Sequence, residues 1–230
     1  MADFLMGLPL FSIALTFAAF QAGAWIQKKT KSPLFNPILI GAALVIGVLL
    51  LTNIDPGDYV AATDSITWLL TPATVCLAVP LYRQIKVVKK SLPAILIGIF
   101  TGVITSLLTV FLLCMLFRLD RHLSVSLMPK SITTAIGLAL SEQNGGNPTL
   151  TSIVIVVTGV FGNLIGPSLC KIFKLTDPIS QGVAFGASAH LGGTSKATEM
   201  DPLAGAVSSL SLVASGVISS VIFPIFMALL

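Results

Sequence analysis

The 230-residue chain is 55% hydrophobic and only 10% charged, with a mean hydropathy of +0.98, whereas a soluble domain has about a quarter of its residues charged. Its apolar runs approach or exceed the roughly 20 residues that span a bilayer as helix and do not alternate with polar residues, which excludes both a soluble globule and an outer-membrane barrel. The net charge of +4 sits in short clusters between those runs, a topology and headgroup signal rather than a nucleic-acid surface.

The composition predicts an all-α polytopic membrane protein, a single integral domain over 1–230 with a possible two-repeat division near 1–117 and 118–230. Phe4 to Ala24 is long enough to cross. It lacks a preceding basic region and is followed by Trp25, Lys28, Lys29 and Lys31, the reverse of a cleaved secretory signal, so it reads as a first membrane helix. Asn36-Pro37 opens the next segment, with Asn suited to the N-cap and Pro to the first helical position. That segment, Pro37 to Thr52, is short for a full crossing.

Tyr59 to Tyr82 is interrupted at Thr71-Pro72-Ala73-Thr74, where a proline removes a helical hydrogen bond and predicts a break. The largest basic cluster follows at Arg83, Lys86, Lys89 and Lys90. Pro93 to Phe117 is a crossing with Gly98 and Gly102 in a GxxxG pair, read as close packing. Ser126 to Glu142, containing Pro129-Lys130-Ser131, is too polar and too short to cross comfortably. Thr149 to Phe173 is a crossing with a second GxxxG at Gly162 and Gly166, and Leu203 to Leu230 is a final helix.

Between those last two lies Gly182 to Asp201, which carries His190, Lys196, Glu199 and a cluster of glycines and hydroxyls. Charge bias places the lysines near 28–31, 83–90 and 171–174 on one side of the membrane. That distribution holds if Ser126–Glu142 and Ile179–Lys196 re-enter from opposite faces rather than cross. About six crossings and two re-entrant or broken elements are therefore expected. Cys76, Cys114 and Cys170 lie in or beside apolar segments, with neither disulfide nor metal spacing. No metal or other cofactor is expected.

Helix breaks at Pro72, Pro129 and Gly192 each adjoin hydroxyls, and two adjoin a lysine. A helix that starts mid-membrane presents unpaired N–H groups and partial positive charge, which suits carboxylate or phosphate. Broken helices meeting near the midplane are a recurring substrate site of secondary transporters. The expected site is Thr71, Thr74, Lys130, Ser131, Thr133, His190, Gly193, Thr194, Ser195 and Lys196. Lys130, His190 and Lys196 would bear the charge, and Asn36, Pro37, Pro72, Pro129 and Gly192 would be the structural breaks.

Asn36-Pro37, Thr71-Pro72-Ala73-Thr74-Val75 with Ala78-Val79-Pro80-Leu81-Tyr82, Pro129-Lys130-Ser131-Ile132-Thr133-Thr134 and His190-Leu191-Gly192-Gly193-Thr194-Ser195-Lys196-Ala197 occur in order over nearly the whole chain. These patterns resemble the LrgB/CidB family, which includes bacterial antiholin-like proteins and the plastid glycolate/glycerate translocator. The resemblance implies a multi-pass inner-membrane protein, often beside a smaller LrgA/CidA-type partner. It also implies a role in lysis control or in moving small monocarboxylates such as glycolate, glycerate, pyruvate or lactate.

The leading expectation is a secondary transporter of small organic anions, with a homodimer suited to the glycine-rich faces. The alternative is a holin- or antiholin-like regulator of murein hydrolase activity acting through oligomeric pores. An intramembrane Ser-Lys hydrolase is a third reading. It is opposed by geometry, since Lys130-Ser131 and Ser195-Lys196 are adjacent pairs and neighbours on a helix do not face each other; no enzymatic activity is expected.

Overall fold

Helices are the only regular elements among the described residues of the computed structural model, which are 9–30, 35–69, 72, 75–76 and 78–229. A chain of long, non-alternating apolar runs has this one way of satisfying its backbone in lipid. The helices fall into two units, Met1–Cys76 and Leu77–Leu230.

The first unit holds α1 (Pro9–Thr30), α2 (Pro37–Thr52) and α3 (Pro56–Thr67). α1 runs on past Ala24 through Trp25 to Lys28 and Lys29 in its last turn, where cations complement the helix dipole. The Lys29 ammonium lies 5.0 Å from the Trp25 ring centroid. Asn36 caps α2 as expected, its side chain accepting from the Ile38 amide at 2.9 Å with Pro37 at the first position. Gly23 lets the α2 start lie against α1, since a Cβ there would sit 2.7 Å from the Pro37 carbonyl oxygen. Tyr59 ties α3 to α1 through a 2.6 Å hydroxyl contact with Thr16. α3 stops at Thr67 before a turn at Trp68 and Leu69, whereas Pro72, expected at a break, is itself helical, as are Val75 and Cys76. Thr71 and Thr74 lie outside the described residues.

The second unit contains α4 (Ala78–Arg83), α5 (Ile85–Lys90), α6 (Leu92–Leu116), α7 (Arg121–Leu127), α8 (Thr134–Gln143), α9 (Pro148–Ile172), α10 (Pro178–Met200) and α11 (Pro202–Met227). By length and apolarity α1, α6, α9 and α11 can each cross a membrane, and the apolar α2 is shorter at 16 residues. On α6 the residues Ile95, Ile99, Val103, Leu107, Val110 and Cys114 form one buried stripe at three- and four-residue spacing. Val125, Met128, Val207 and Phe223 join the same core. Ile97, Phe100, Leu108 and Leu112 remain exposed as a lipid-facing surface.

Two elements enter the unit and turn back. Ser126 and Ser141, near the two ends of the first, meet at one residue: Thr151 Oγ1 lies 2.9 Å from the Ser126 carbonyl oxygen and 2.7 Å from Ser141 Oγ, and between those ends Gly137 lies beside the Pro129 carbonyl. The Asn147 amide closes the return by donating to Ser126 Oγ at 2.7 Å. Ser126–Glu142 therefore folds as a hairpin that begins and ends on the Arg118–Asn147 side.

α10 behaves in the same way from the other side. Its helical geometry fails at Ala189 (φ −125°, ψ 17°) and His190 (φ 39°, ψ −130°). Before this break Gly182 packs on Ala204 and Val207, and Gly186 on Ser208 and Ser211. After it Thr194 meets Ser208 and Thr198 meets Gly205. The first arm thus runs parallel to α11 and the second runs back against it. The first arm, residues 178–188, is about 16 Å long at 1.5 Å per residue, about half of a hydrocarbon core roughly 30 Å thick. Lys171, Lys174 and Lys196 end up on the side of Lys86, Lys89 and Lys90, as the charge bias requires.

Candidate functional site

The two hairpins approach the same turn of α6. Ser131, at the bend of the first, meets Ser106, whose hydroxyl donates to Ser131 Oγ at 3.1 Å. Ala187, near the bend of the second, packs on Gly102, where an added Cβ would lie 3.4 Å from the Ala187 Cβ. Gly102 and Ser106 are four residues apart, about 6 Å along the helix. Gly98 receives Val183 one turn earlier, so this GxxxG pair seats the first arm of α10 on α6.

Between these elements opens a cleft of about 530 Å³. From α6 it takes Thr101, Thr105, Ser106 and Thr109, from the first hairpin Lys130 and Ser131, and from α10 Ala184 and Ser188. Thr101, Thr105 and Thr109 recur every four residues on the face opposite Val103, so one side of α6 is core and the other is hydroxylated. Lys130 is half-buried and donates from Nζ to Ser131 Oγ at 2.8 Å; the expectation that these neighbours do not face each other fails, because residues 130 and 131 lie in a turn rather than a helix. No acidic side chain lines the cleft among the described residues. A smaller void of about 10 Å³ beneath the bend reaches Ser106, Ser131 and Ser219, enough for about one water.

Backbone at a break in the membrane must be shielded by protein, because lipid offers no hydrogen bonds. Ala189 and His190 are accordingly 2% and 7% exposed. His190 occupies a region that glycine adopts freely and that costs another residue about 1–3 kcal/mol. Three contacts hold it there. Its Nε2 lies 2.8 Å from the Ile155 carbonyl oxygen, its ring fills the space over Gly159, and its own carbonyl accepts from Thr194 Oγ1 at 2.9 Å. Asn163 adds a bond to the Gly192 carbonyl at 3.1 Å.

Of the residues singled out from sequence, the structure brings Lys130 and Ser131 together in the cleft. Thr133 is half-buried at the start of α8, where its side chain makes no cap bond. His190, Gly193 and Thr194 are buried within the second hairpin and hold it to α9 and α11. Gly193 faces the Phe185 carbonyl, which a Cβ would approach to 2.5 Å. Ser195 is exposed on the returning arm. Lys196 is on that arm too and pairs with Glu199 at 2.8 Å, toward the end where α10 re-emerges. Pro129 lies at the first bend, whereas the second break falls at Ala189–His190, just before Gly192. Gly192 is used for packing instead: a Cβ on it would collide with the Gly159 backbone.

Sequence reasoning missed Thr101, Thr105, Thr109 and Ser188. The available signal was the four-residue spacing of the threonines inside an apolar helix, masked by the GxxxG pattern beside them. Beyond the cleft, the Ser180 amide and hydroxyl donate to the Asp177 carboxylate at 2.8 Å each and hold its pKa below the ordinary value. Among the described residues no cluster of His, Cys, Asp and Glu could hold a metal ion.

Comparison with known proteins places this geometry in context. A family model described as "LrgB-like family" matches residues 16–229. The holin-like protein CidB of Staphylococcus epidermidis is 36% identical over 217 residues, covering 94% of this chain and 95% of the relative. The Staphylococcus aureus protein of the same name is 34% identical, covering 96% of both chains. The antiholin-like protein LrgB of Bacillus subtilis is also 34% identical, again over 96% of both. No solved structure matches.

Proposed function

This chain belongs to the LrgB-like family, and from that premise we propose that it is a secondary carrier of small organic anions, in the size range of glycolate, glycerate, pyruvate and lactate. The observation that carries the reading is Lys130, an ammonium held where two re-entrant hairpins meet, in a cleft walled by hydroxyls and without a carboxylate. A single positive charge matches a single carboxylate. Thr101, Thr105 and Ser188 are suited to a hydroxyl or keto oxygen on the same small molecule. The N-terminal end of α8 supports the same sign, because its first amides lie at the bend.

On this reading the chain moves its ligand without chemical change, and so is no enzyme. Its place is the bacterial inner membrane, and a second copy or a small LrgA/CidA-type protein would be its partner. The names of the relatives favour a second reading, a holin- or antiholin-like regulator of murein hydrolases acting through oligomeric pores. Flux separates them. Purified protein in liposomes should take up labelled lactate or glycolate saturably while excluding a neutral solute of equal size. Release of both solutes alike would refute the carrier and support the pore.

A further inference from the structure

A second concavity lies behind the first arm of α10, on the side away from Lys130. It is a groove of about 330 Å³ between that arm and α9. Phe161, Ile165, Leu169 and Phe173 recur every four residues along its α9 wall, and Phe185 and Ser188 come from the arm. Phe161, Leu169 and Phe173, the last at the cap just past α9, are among the exposed large hydrophobics. Gly162 and Gly166 form the floor, where Ala189 and Phe185 already sit against their Cα atoms. The second GxxxG pair therefore seats the arm on α9, as the first seats it on α6.

The dimensions and the charge identify an occupant. From Phe161 to Phe173 the groove is about 18 Å long at 1.5 Å per residue, close to one leaflet of a roughly 30 Å hydrocarbon core. Its deep end stops at the α10 break, and its mouth opens at Phe173 and Leu175, on the side carrying the lysine clusters. Lys171 and Lys174 are exposed there. The nearby Asp177 carboxylate is turned onto the start of α10, where it accepts from Ser180. A transmembrane helix of a partner would run through both leaflets; this groove serves only one.

We propose that the groove holds one acyl chain of an anionic phospholipid of the cytoplasmic leaflet, with its headgroup phosphate on Lys171 and Lys174. Basic positions beside a cleft between membrane helices supply the headgroup contact, and the apolar wall supplies the chain contact. Ala184 and Ser188 line both this groove and the Lys130 cleft, so a chain seated here braces the arm that walls the anion site. That last consequence, unlike the lipid site itself, rests on the carrier reading.

Native mass spectrometry of the delipidated full chain, titrated with phosphatidylglycerol or phosphatidylcholine, tests the site without measuring transport. One phosphatidylglycerol per protomer should be retained in preference to phosphatidylcholine. The double variant Lys171→Gln/Lys174→Gln, which changes exposed side chains only, should weaken retention about 10- to 30-fold. Ile165→Trp, filling the groove, should weaken both lipids while thermal unfolding confirms an intact fold. Equal retention of the two lipids would overturn the headgroup assignment. Unchanged phosphatidylglycerol binding in both variants would overturn the site. A dimer that loses lipid as it forms would give the groove to a second copy instead.

Discussion

Replacing Lys130 by glutamine removes the cleft's positive charge while keeping a hydrogen-bond donor of similar reach. The fold should survive, because Ser131 keeps its bond to Ser106 and Lys130 is only half-buried. What is lost is a charge-assisted hydrogen bond to the ligand carboxylate, worth about 1.5–3 kcal/mol. At 1.4 kcal/mol per tenfold this corresponds to roughly 10- to 150-fold in apparent affinity. Initial rates of labelled lactate uptake into proteoliposomes, measured across substrate concentration, should show KM raised by that factor. Lys130→Arg should lie between Lys130→Gln and the parent, since charge is kept but the fork is larger. Lys196→Gln is the matched control: Lys196 pairs with Glu199 on the returning arm, and its loss should leave KM little changed. An unaltered KM in Lys130→Gln, or a large rise confined to Lys196→Gln, would refute the assignment of the site.

Other outcomes follow from the packing. Thr151→Val leaves the Ser126 carbonyl and Ser141 hydroxyl without the hydroxyl both contact, and should destabilise the first hairpin by about 1–3 kcal/mol in thermal unfolding. Gly186→Leu drives a side chain into the Ser208 carbonyl and Ser211, where the obstacle is backbone, and should abolish folded yield where Gly47→Leu, with open space around it, does not. Asp177→Ala removes the cap of α10 and should cost about 1 kcal/mol near neutral pH. The Asp177 pKa is lowered in the folded chain, so its contribution is present above the unfolded carboxylate value of about 3.9. It is lost as pH falls through the folded value, and the parent and variant unfolding curves should converge in acid.

How far the sequence carried depended on which forces act along the chain and which across it. Pro129 beside Lys130 and Ser131 announces a break because proline acts on its own backbone. The same locality makes Asn36-Pro37 a readable helix start. The opposed hairpins were legible from the lysine clusters, because charge bias limits how many crossings can separate them. The position of the second break was not legible. Gly192 and Gly193 look like the flexible point, yet their smallness serves close approach to Gly159 and the Phe185 carbonyl. The unusual backbone falls to His190, which neighbours from α9 and from the returning arm hold in place. Those contacts depend on helix registers that no local pattern encodes. For the same reason the contacts of His190 with Ile155 and of Thr194 with Ser208 could not be read from the sequence. The α6 threonines looked like ordinary helix residues and prove to line the cleft.

Two hairpins enter from opposite faces and bring Lys130 to the level where they meet. Single cysteines in a cysteine-free background, labelled from one side of sealed vesicles with an impermeant maleimide, test this directly. Cysteines at Arg121 and Asn144 should label from one and the same side, and those at Lys174 and Glu199 from the opposite side only. If Arg121 and Asn144 label from opposite faces, or Lys174 and Glu199 do, the corresponding hairpin is a crossing, and the site built on their meeting is wrong.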